Sequence, residues 1–206
     1  MRFETPQAEV RKFTRRLRHL GADRWPKNAK ILELFCGRGN ALVALERLGF
    51  RHVQGVDLSL KLVAVYRGRA RCFAGDCLAL PVRAASLDIA IVQGGLHHLP
   101  ELPKDLERAV AEVRRVLKPG GLFVVVEPWQ TPFLEFVHRV GCSRVGRRLW
   151  RKMDALATMI EHEGETYRCW LRQPELISRL LDEHFEPCIR RQRLGKLLFV
   201  GRKVHA

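Results

Sequence analysis

From residue 30 to residue 128 short β-branched runs alternate with amphipathic helical stretches, and this alternation constrains the chain more than any other feature. Parallel neighbours in a sheet need a crossover long enough to hold a helix, so the pattern specifies a parallel sheet wrapped by helices. The strands read as Ile31 to Phe35, His52 to Val56, Arg71 to Ala74, Leu87 to Gln93 and Leu122 to Glu127, the last an apolar run suited to full burial. Between the first two strands a helix begins near Asn40, carries Leu42, Val43, Leu45 and Leu48, and stops at Gly49, which takes a left-handed cap without strain. Ser59 caps the next helix, with Leu62, Val63 and Tyr66 expected to face inward. The longest helix starts at about Pro103 and lines up Leu106, Ala109, Val110, Val113, Val116 and Leu117 until Lys118-Pro119-Gly120-Gly121 ends it.

Beyond residue 128 the rhythm breaks. Residues 131 to 170 hold two helix-like stretches and no strand, which reads as a lid, and a last helix starts at Pro174. Pro187 to Leu194 and Leu197 to Arg202, joined at Gly195, fit an antiparallel hairpin. The expected fold is therefore α/β: a doubly wound, seven-stranded, mostly parallel sheet with an antiparallel C-terminal hairpin and a helical lid insertion. A single domain of 206 residues is divided into a basic N-terminal helix or cap (1–26), a ligand-binding core (27–128), a helical lid (129–172) and a C-terminal helix and hairpin (173–206). The N-terminal helix sets Val10, Phe13, Leu17 and Leu20 on one face and Arg11, Lys12, Arg15, Arg16 and Arg18 elsewhere. It could cover a ligand, lie on an anionic surface or simply pack on the sheet edge.

The chain has 37 Lys and Arg against 22 Asp and Glu, a net charge of +15 that attracts nucleic acid, anionic lipid or an acidic small molecule without choosing among them. It contains no run of about 18 uncharged apolar residues, and charged residues occupy the region where a secretion signal would be apolar, so a cytoplasmic protein is expected. Cys36, Cys72, Cys77, Cys142, Cys169 and Cys188 form no CxxC pair and no zinc spacing; reduced thiols and no metal site are expected.

The first strand-to-helix turn reads Glu33-Leu34-Phe35-Cys36-Gly37-Arg38-Gly39-Asn40. Gly37 and Gly39 permit a sharp turn and close approach to a ligand, and the helix N-terminus behind them offers free N–H groups to an anion. A dinucleotide fingerprint would place a third glycine where Leu42 stands. Glu33 suits a ligand with positive charge beside this turn. Asp57 ends the second strand 18 residues past Gly39, where an acid accepts from both ribose hydroxyls, and Asp76 follows the third strand with Cys77 beside it.

Five ordered stretches, Ile31 to Asn40, Gly55 to Ser59, Gly75 to Pro81, Leu96 to Pro100 and Arg115 to Gly121, together resemble the class I Rossmann-like S-adenosylmethionine-dependent methyltransferases, in particular the small-molecule "type 11" branch. The resemblance covers about residues 30 to 128. It implies that S-adenosylmethionine is the cofactor, that Gly37 and Gly39 back its methionine moiety, and that Asp57 and Leu58 contact the ribose side. It further implies that Asp76 and Cys77 hold the adenine, while Glu33 and a carbonyl of Gln93 face the ammonium. One departure is that Phe35 stands where the family has its first glycine, which leaves the path of the turn open.

Methyl transfer displaces an already activated carbon, so the protein chiefly aims a nucleophile and excludes water. His97 and His98, after the fourth strand, are candidate bases for a hydroxyl acceptor, or else they only shape their loop. Trp129, Phe133, Phe136, Trp150, Met153, Met159, Tyr167 and Trp170 in the lid could wall an apolar pocket, although Leu149, Met153, Leu156 and Ile160 recur at core spacing. With Arg139, Arg144, Arg147, Arg148, Arg151 and Lys152 around them, the expected acceptor is an apolar or amphipathic small molecule with an acidic group, or one embedded in an anionic membrane. Methylation of tRNA, rRNA or DNA is the main alternative, and a non-catalytic S-adenosylmethionine-binding protein is another. Gln93-Gly94-Gly95-Leu96 lacks the Asn/Asp-Pro-Pro-aromatic signature of exocyclic amine methylation.

Overall fold

The computed structural model describes residues 5–135 and 164–204. Its centre is a seven-stranded sheet in the order β3-β2-β1-β4-β5-β7-β6. The strands are β1 (Lys30–Leu34), β2 (His52–Asp57), β3 (Arg71–Ala74), β4 (Leu87–Gln93), β5 (Leu117–Pro128), β6 (Glu186–Arg193) and β7 (Lys196–Arg202). The first five pair in parallel, and β7 runs antiparallel to both β5 and β6. Order reverses between β1 and β4, the switch point outside whose carboxyl ends open α/β sheets bind ligands.

Two apolar layers cover the sheet. On one face α1 (Pro6–His19) and α2 (Asn40–Arg47) bury Val10, Leu17, Leu42 and Leu45 against Ile31, Ile91 and Val124. On the other, α4 (Lys104–Val116) and α5 (Pro174–His184) bury Leu106, Val110, Val113, Ile177 and Leu181 against Leu32, Val92 and Phe123. Alternate residues of β1 and β4 thus serve opposite cores, which is why these strands read as continuous apolar runs.

Two elements depart from expectation. The helix after β2, α3 (Leu60–Val63), is a single turn. Ser59 caps it at 3.3 Å from the Leu62 N–H, but none of its residues is buried, and Leu62, Val63 and Tyr66 are only half-covered. Strand β5 begins at Leu117, five residues earlier than its apolar run, because Leu117 pairs at once with Leu87 and a bulge carries Lys118 to Gly121 into the ladder. Of the lid, residues 132–135 and 164–171 are helical. Phe136, Trp150, Met153 and Met159, the stripe from Leu149 to Ile160 and the cations from Arg139 to Lys152 lie outside the described residues.

Candidate active site

The turn after β1 keeps the left-handed path of a glycine loop although its first position is an aromatic. Phe35 has φ 55°, Gly37 53° and Gly39 78°. A left-handed phenylalanine is costly, and Gly95 makes the arrangement possible: a Cβ there would lie 2.2 Å from the Phe35 ring. The Cys36 N–H donates to the Val56 carbonyl at 3.1 Å and that of Gly39 to the Cys36 carbonyl at 2.8 Å. Asp57, at the end of β2, closes the turn from the side. Its Oδ2 accepts the Gly37 N–H at 2.8 Å and its Oδ1 the Ser59 N–H at 2.9 Å.

Behind this turn, at the switch point, lies a cavity of about 190 Å³ lined by Glu9, Phe13, Glu33, Phe35, Arg38 and Gln93, among others. Wider hollows of about 510 and 660 Å³ lie towards the amino ends of β2 and β3, lined by residues such as His52 and Arg71 and away from every residue singled out for chemistry. Glu33 is buried, and its Oε2 has no hydrogen-bond partner among the described residues. Burial pushes its carboxyl up to about 8, opposed by the hydrogen bond from Gln93 and the charge of Arg16. Gln93 bridges the two, donating from Nε2 to Glu33 at 3.4 Å and accepting from Arg16 at 3.2 Å through its side-chain carbonyl. That carbonyl therefore already has a cationic donor.

Helix α1 covers this cavity, more than a helix packed on the sheet edge would. Its Val10 and Leu17 sink against α2, while Glu9 and Phe13 line the pocket, Arg16 donates to Gln93 and Asn40 donates to Glu9. Residues 9, 13 and 16 share a helical face that overlaps the apolar stripe at Phe13, so in the sequence it is masked by the stripe. Further along the sheet edge Leu58 is 77% exposed, and Asp76 is exposed with its Oδ1 accepting the Leu78 N–H at 2.8 Å. Burial pushes the neighbouring Cys77 thiol up to about 12.

On the other side of β4 the loop from Gly94 to Leu99 is organised by a residue not anticipated from sequence. Glu127, at the carboxyl end of β5 and 1% exposed, accepts the N–H groups of Gly95 and Leu96 at 2.8 and 2.9 Å through Oε1. Its Oε2 lies 2.6 Å from Nδ1 of buried His97. A carboxylate only accepts, so Nδ1 carries the proton. The signal was a single acid closing the apolar run Leu122 to Val126. His98 is exposed and stacks on His97 with ring centroids 4.0 Å apart; the Tyr167 ring meets His97 edge-on at 5.9 Å. Trp129, Tyr167 and Trp170, expected in an acceptor wall, are instead in the core, with the Trp170 indole donating to the Pro128 carbonyl at 2.8 Å.

Cys36, Cys72, Cys77, Cys169 and Cys188 are free thiols. Cys36 reaches over Gly55 to within 3.3 Å of the Cys72 sulfur, and burial pushes both thiols up, which keeps them protonated.

A family profile described as a methyltransferase domain matches residues 32–125. The demethylmenaquinone methyltransferase of Streptomyces avermitilis is 29% identical over 194 residues, 84% of this chain and 80% of that protein. That of Thermus thermophilus is 33% identical over 144 residues, 65% of this chain and 63% of its own length, so the chain spans less than two thirds of this relative. Among solved structures, the geranyl diphosphate C-methyltransferase of Streptomyces coelicolor A3(2), crystallised with Mg2+, geranyl-S-thiolodiphosphate and S-adenosyl-L-homocysteine, superimposes with a TM-score of 0.68. The match covers 96% of this chain and 77% of that one at 16% identity, a likeness of fold. Residues 32–125 thus resemble a methyltransferase domain, and the chain has the class I, Rossmann-like methyltransferase fold.

Proposed function

We propose that this chain, working in the cytoplasm, methylates an apolar or amphipathic small molecule that carries an acidic group, with an isoprenoid-bearing ring compound as the acceptor of first choice. The observation that carries the donor half is the buried Glu33, a residue of the cavity at the switch point whose Oε2 has no hydrogen-bond partner among the described residues. An orphaned buried carboxylate fits the ammonium of S-adenosylmethionine, because a bound cation supplies the partner that burial removed. The acceptor half rests on relatives named for demethylmenaquinone and on a fold neighbour named for geranyl diphosphate.

S-adenosylmethionine supplies an activated methyl group. The chain's own residues bind and orient. Gly37 faces open space, so its backbone approaches the methionine moiety, with Gly39 at the entrance to α2. Each Asp57 oxygen accepts one N–H, and a carboxylate has about four acceptor sites in all, which leaves lone pairs for the ribose hydroxyls. Leu58 gives an apolar surface beside the ribose, and Asp76 with the Cys77 N–H recognises the adenine edge. A proton released by a hydroxyl acceptor goes to the imidazole pair His97 and His98, with Glu127 steadying a charge on His97.

Calorimetry with S-adenosylhomocysteine tests the donor half: the wild type binds and Glu33→Gln binds more weakly. Methyl transfer from labelled donor to detergent-dispersed demethylmenaquinone tests the acceptor half. Absence of donor binding ends the whole reading, whereas binding without turnover of any apolar acceptor ends the second half alone.

A further inference from the structure

The turn between β6 and β7 is built against ordinary preference. Arg193 pairs with Lys196, which leaves Leu194 and Gly195 as a two-residue turn with φ 50° and 73°. Both central residues of such a turn sit at positive φ, where Asn-Gly is the favoured pair. Here the first position is a leucine that is also 60% exposed, so it carries backbone strain and buries little in return.

The tip is nevertheless held firmly. The Trp129 N–H donates to the Gly195 carbonyl at 2.9 Å, the Gly195 N–H to Oγ1 of Thr131 at 3.1 Å, and Leu134 packs against Gly195. These bonds set Leu194 on the same rim as Phe133, itself 48% exposed. Since β7 pairs Lys196 with Pro128, the rim lies at the carboxyl end of β5, the edge that also holds His97 and Glu127. Arg190, Arg191 and Arg193 are exposed on β6, with Asp182 engaging Arg190. The nearby acid Glu135 is engaged by Gln130 at 2.8 Å.

The geometry points to the β6–β7 tip as a membrane anchor: Leu194 and Phe133 enter the surface of an anionic lipid bilayer while Arg191 and Arg193 meet its headgroups. The inference rests on the apolar acceptor proposed above and supplies its partner, the lipid phase from which such an acceptor is drawn. Two apolar side chains on a cationic rim are too small a patch for a protein interface, which needs about 800 Å² on each partner. They match the combination of shallow insertion and electrostatic attraction by which surface-bound proteins hold anionic lipid.

The test is co-sedimentation of the full chain with phosphatidylcholine vesicles made with and without about one third phosphatidylglycerol, at low and high salt. Binding is expected to the anionic vesicles and to fall with salt. Leu194→Gly suits a positive φ, so it keeps the fold and its S-adenosylhomocysteine binding while lowering vesicle partitioning about tenfold, the loss expected for one leucine. Leu194→Trp retains binding, and its emission shifts to the blue when anionic vesicles are added. The proposal is overturned if the wild type ignores phosphatidylglycerol, if Leu194→Gly binds as the wild type does, or if the tryptophan emission stays put. Turnover of detergent-dispersed acceptor by a chain that ignores vesicles would remove the anchor and leave the proposed function standing.

Discussion

The carboxyl edge of the sheet has two halves that are built on different principles. Around β1, β2 and β3 the site is main chain held locally: left-handed residues at 35, 37 and 39, and an aspartate that fastens Gly37 and Ser59. Around β4 and β5 it is side chain held at long range, with Glu127 reaching back some thirty residues to Gly95, Leu96 and His97. The first arrangement suits a donor common to a whole family, because backbone geometry is insensitive to the identity of most side chains. The second can be altered by one substitution, which suits the acceptor role proposed above.

The comparison is broken most easily at Glu127. Removing it leaves two buried N–H groups and a buried imidazole without their acceptor, so Glu127→Ala should destabilise the chain by about 3–5 kcal/mol in urea denaturation. A loss under about 1 kcal/mol would mean that water satisfies this loop, and that the second half is no more dependent on one side chain than the first.

Glu33 ranks next, and its effect depends on pH. Its folded value is raised from 4.5 to about 8 by burial, so folding disfavours the ionised form. The contribution is fully present below pH 4.5 and is lost as pH rises through about 8. Glu33→Gln, which stays neutral, should match the wild type near pH 4.5 and exceed it by about 3 kcal/mol at pH 7 in ligand-free melts. Saturating S-adenosylhomocysteine should reverse the order if the ammonium sits on this carboxylate. A gap that does not change with pH would show Glu33 already ionised, and the donor half would lose its stored demand for a cation.

The same division decides what could be read from sequence. The strands of the core and the hairpin are visible because alternation, glycine and proline act over a few residues, and β4 emerges at its expected bounds, Leu87–Gln93. The glycine turn is legible for that reason: Gly37 meets Asp57, and Gly37 and Gly39 both take the left-handed path. Glu127 and the cover formed by Glu9, Phe13 and Arg16 are not, since their meaning depends on pairing between β4 and β5 and on the docking of α1 against α2. Trp129, Tyr167 and Trp170 belong to the core, and the sequence does not reveal this because an aromatic cluster looks alike whether it faces a ligand or a core.

Asp57 sharpens the comparison from the donor side. Asp57→Ala should weaken S-adenosylhomocysteine binding by about 1–3 kcal/mol in calorimetry, through lost ribose contacts and a slackened Gly37 turn together. Asp57→Asn retains an acceptor oxygen but cannot accept both N–H groups as a carboxylate does, so it should fall between. Unchanged affinity in both would remove the ribose assignment.

The smallest effect probes the seam where the two halves touch, Phe35 against Gly95. A left-handed phenylalanine strains the donor loop, and its ring occupies the place of a side chain at 95 in the acceptor loop. Gly95→Ala alone forces the ring to move, because the new Cβ would lie 2.2 Å from it, and the Gly95 N–H would be pulled from Glu127. Phe35→Gly alone eases the backbone and forfeits packing, two terms of opposite sign. In the double variant the clash is gone, so the pair should couple by about 1 kcal/mol in a double-mutant cycle on stability. If the same cycle measured on S-adenosylhomocysteine affinity also shows coupling, the acceptor loop acts on the donor turn through this ring. Strict additivity in both would mean that the halves are independent, and that Phe35 stands in the glycine's place for reasons of packing alone.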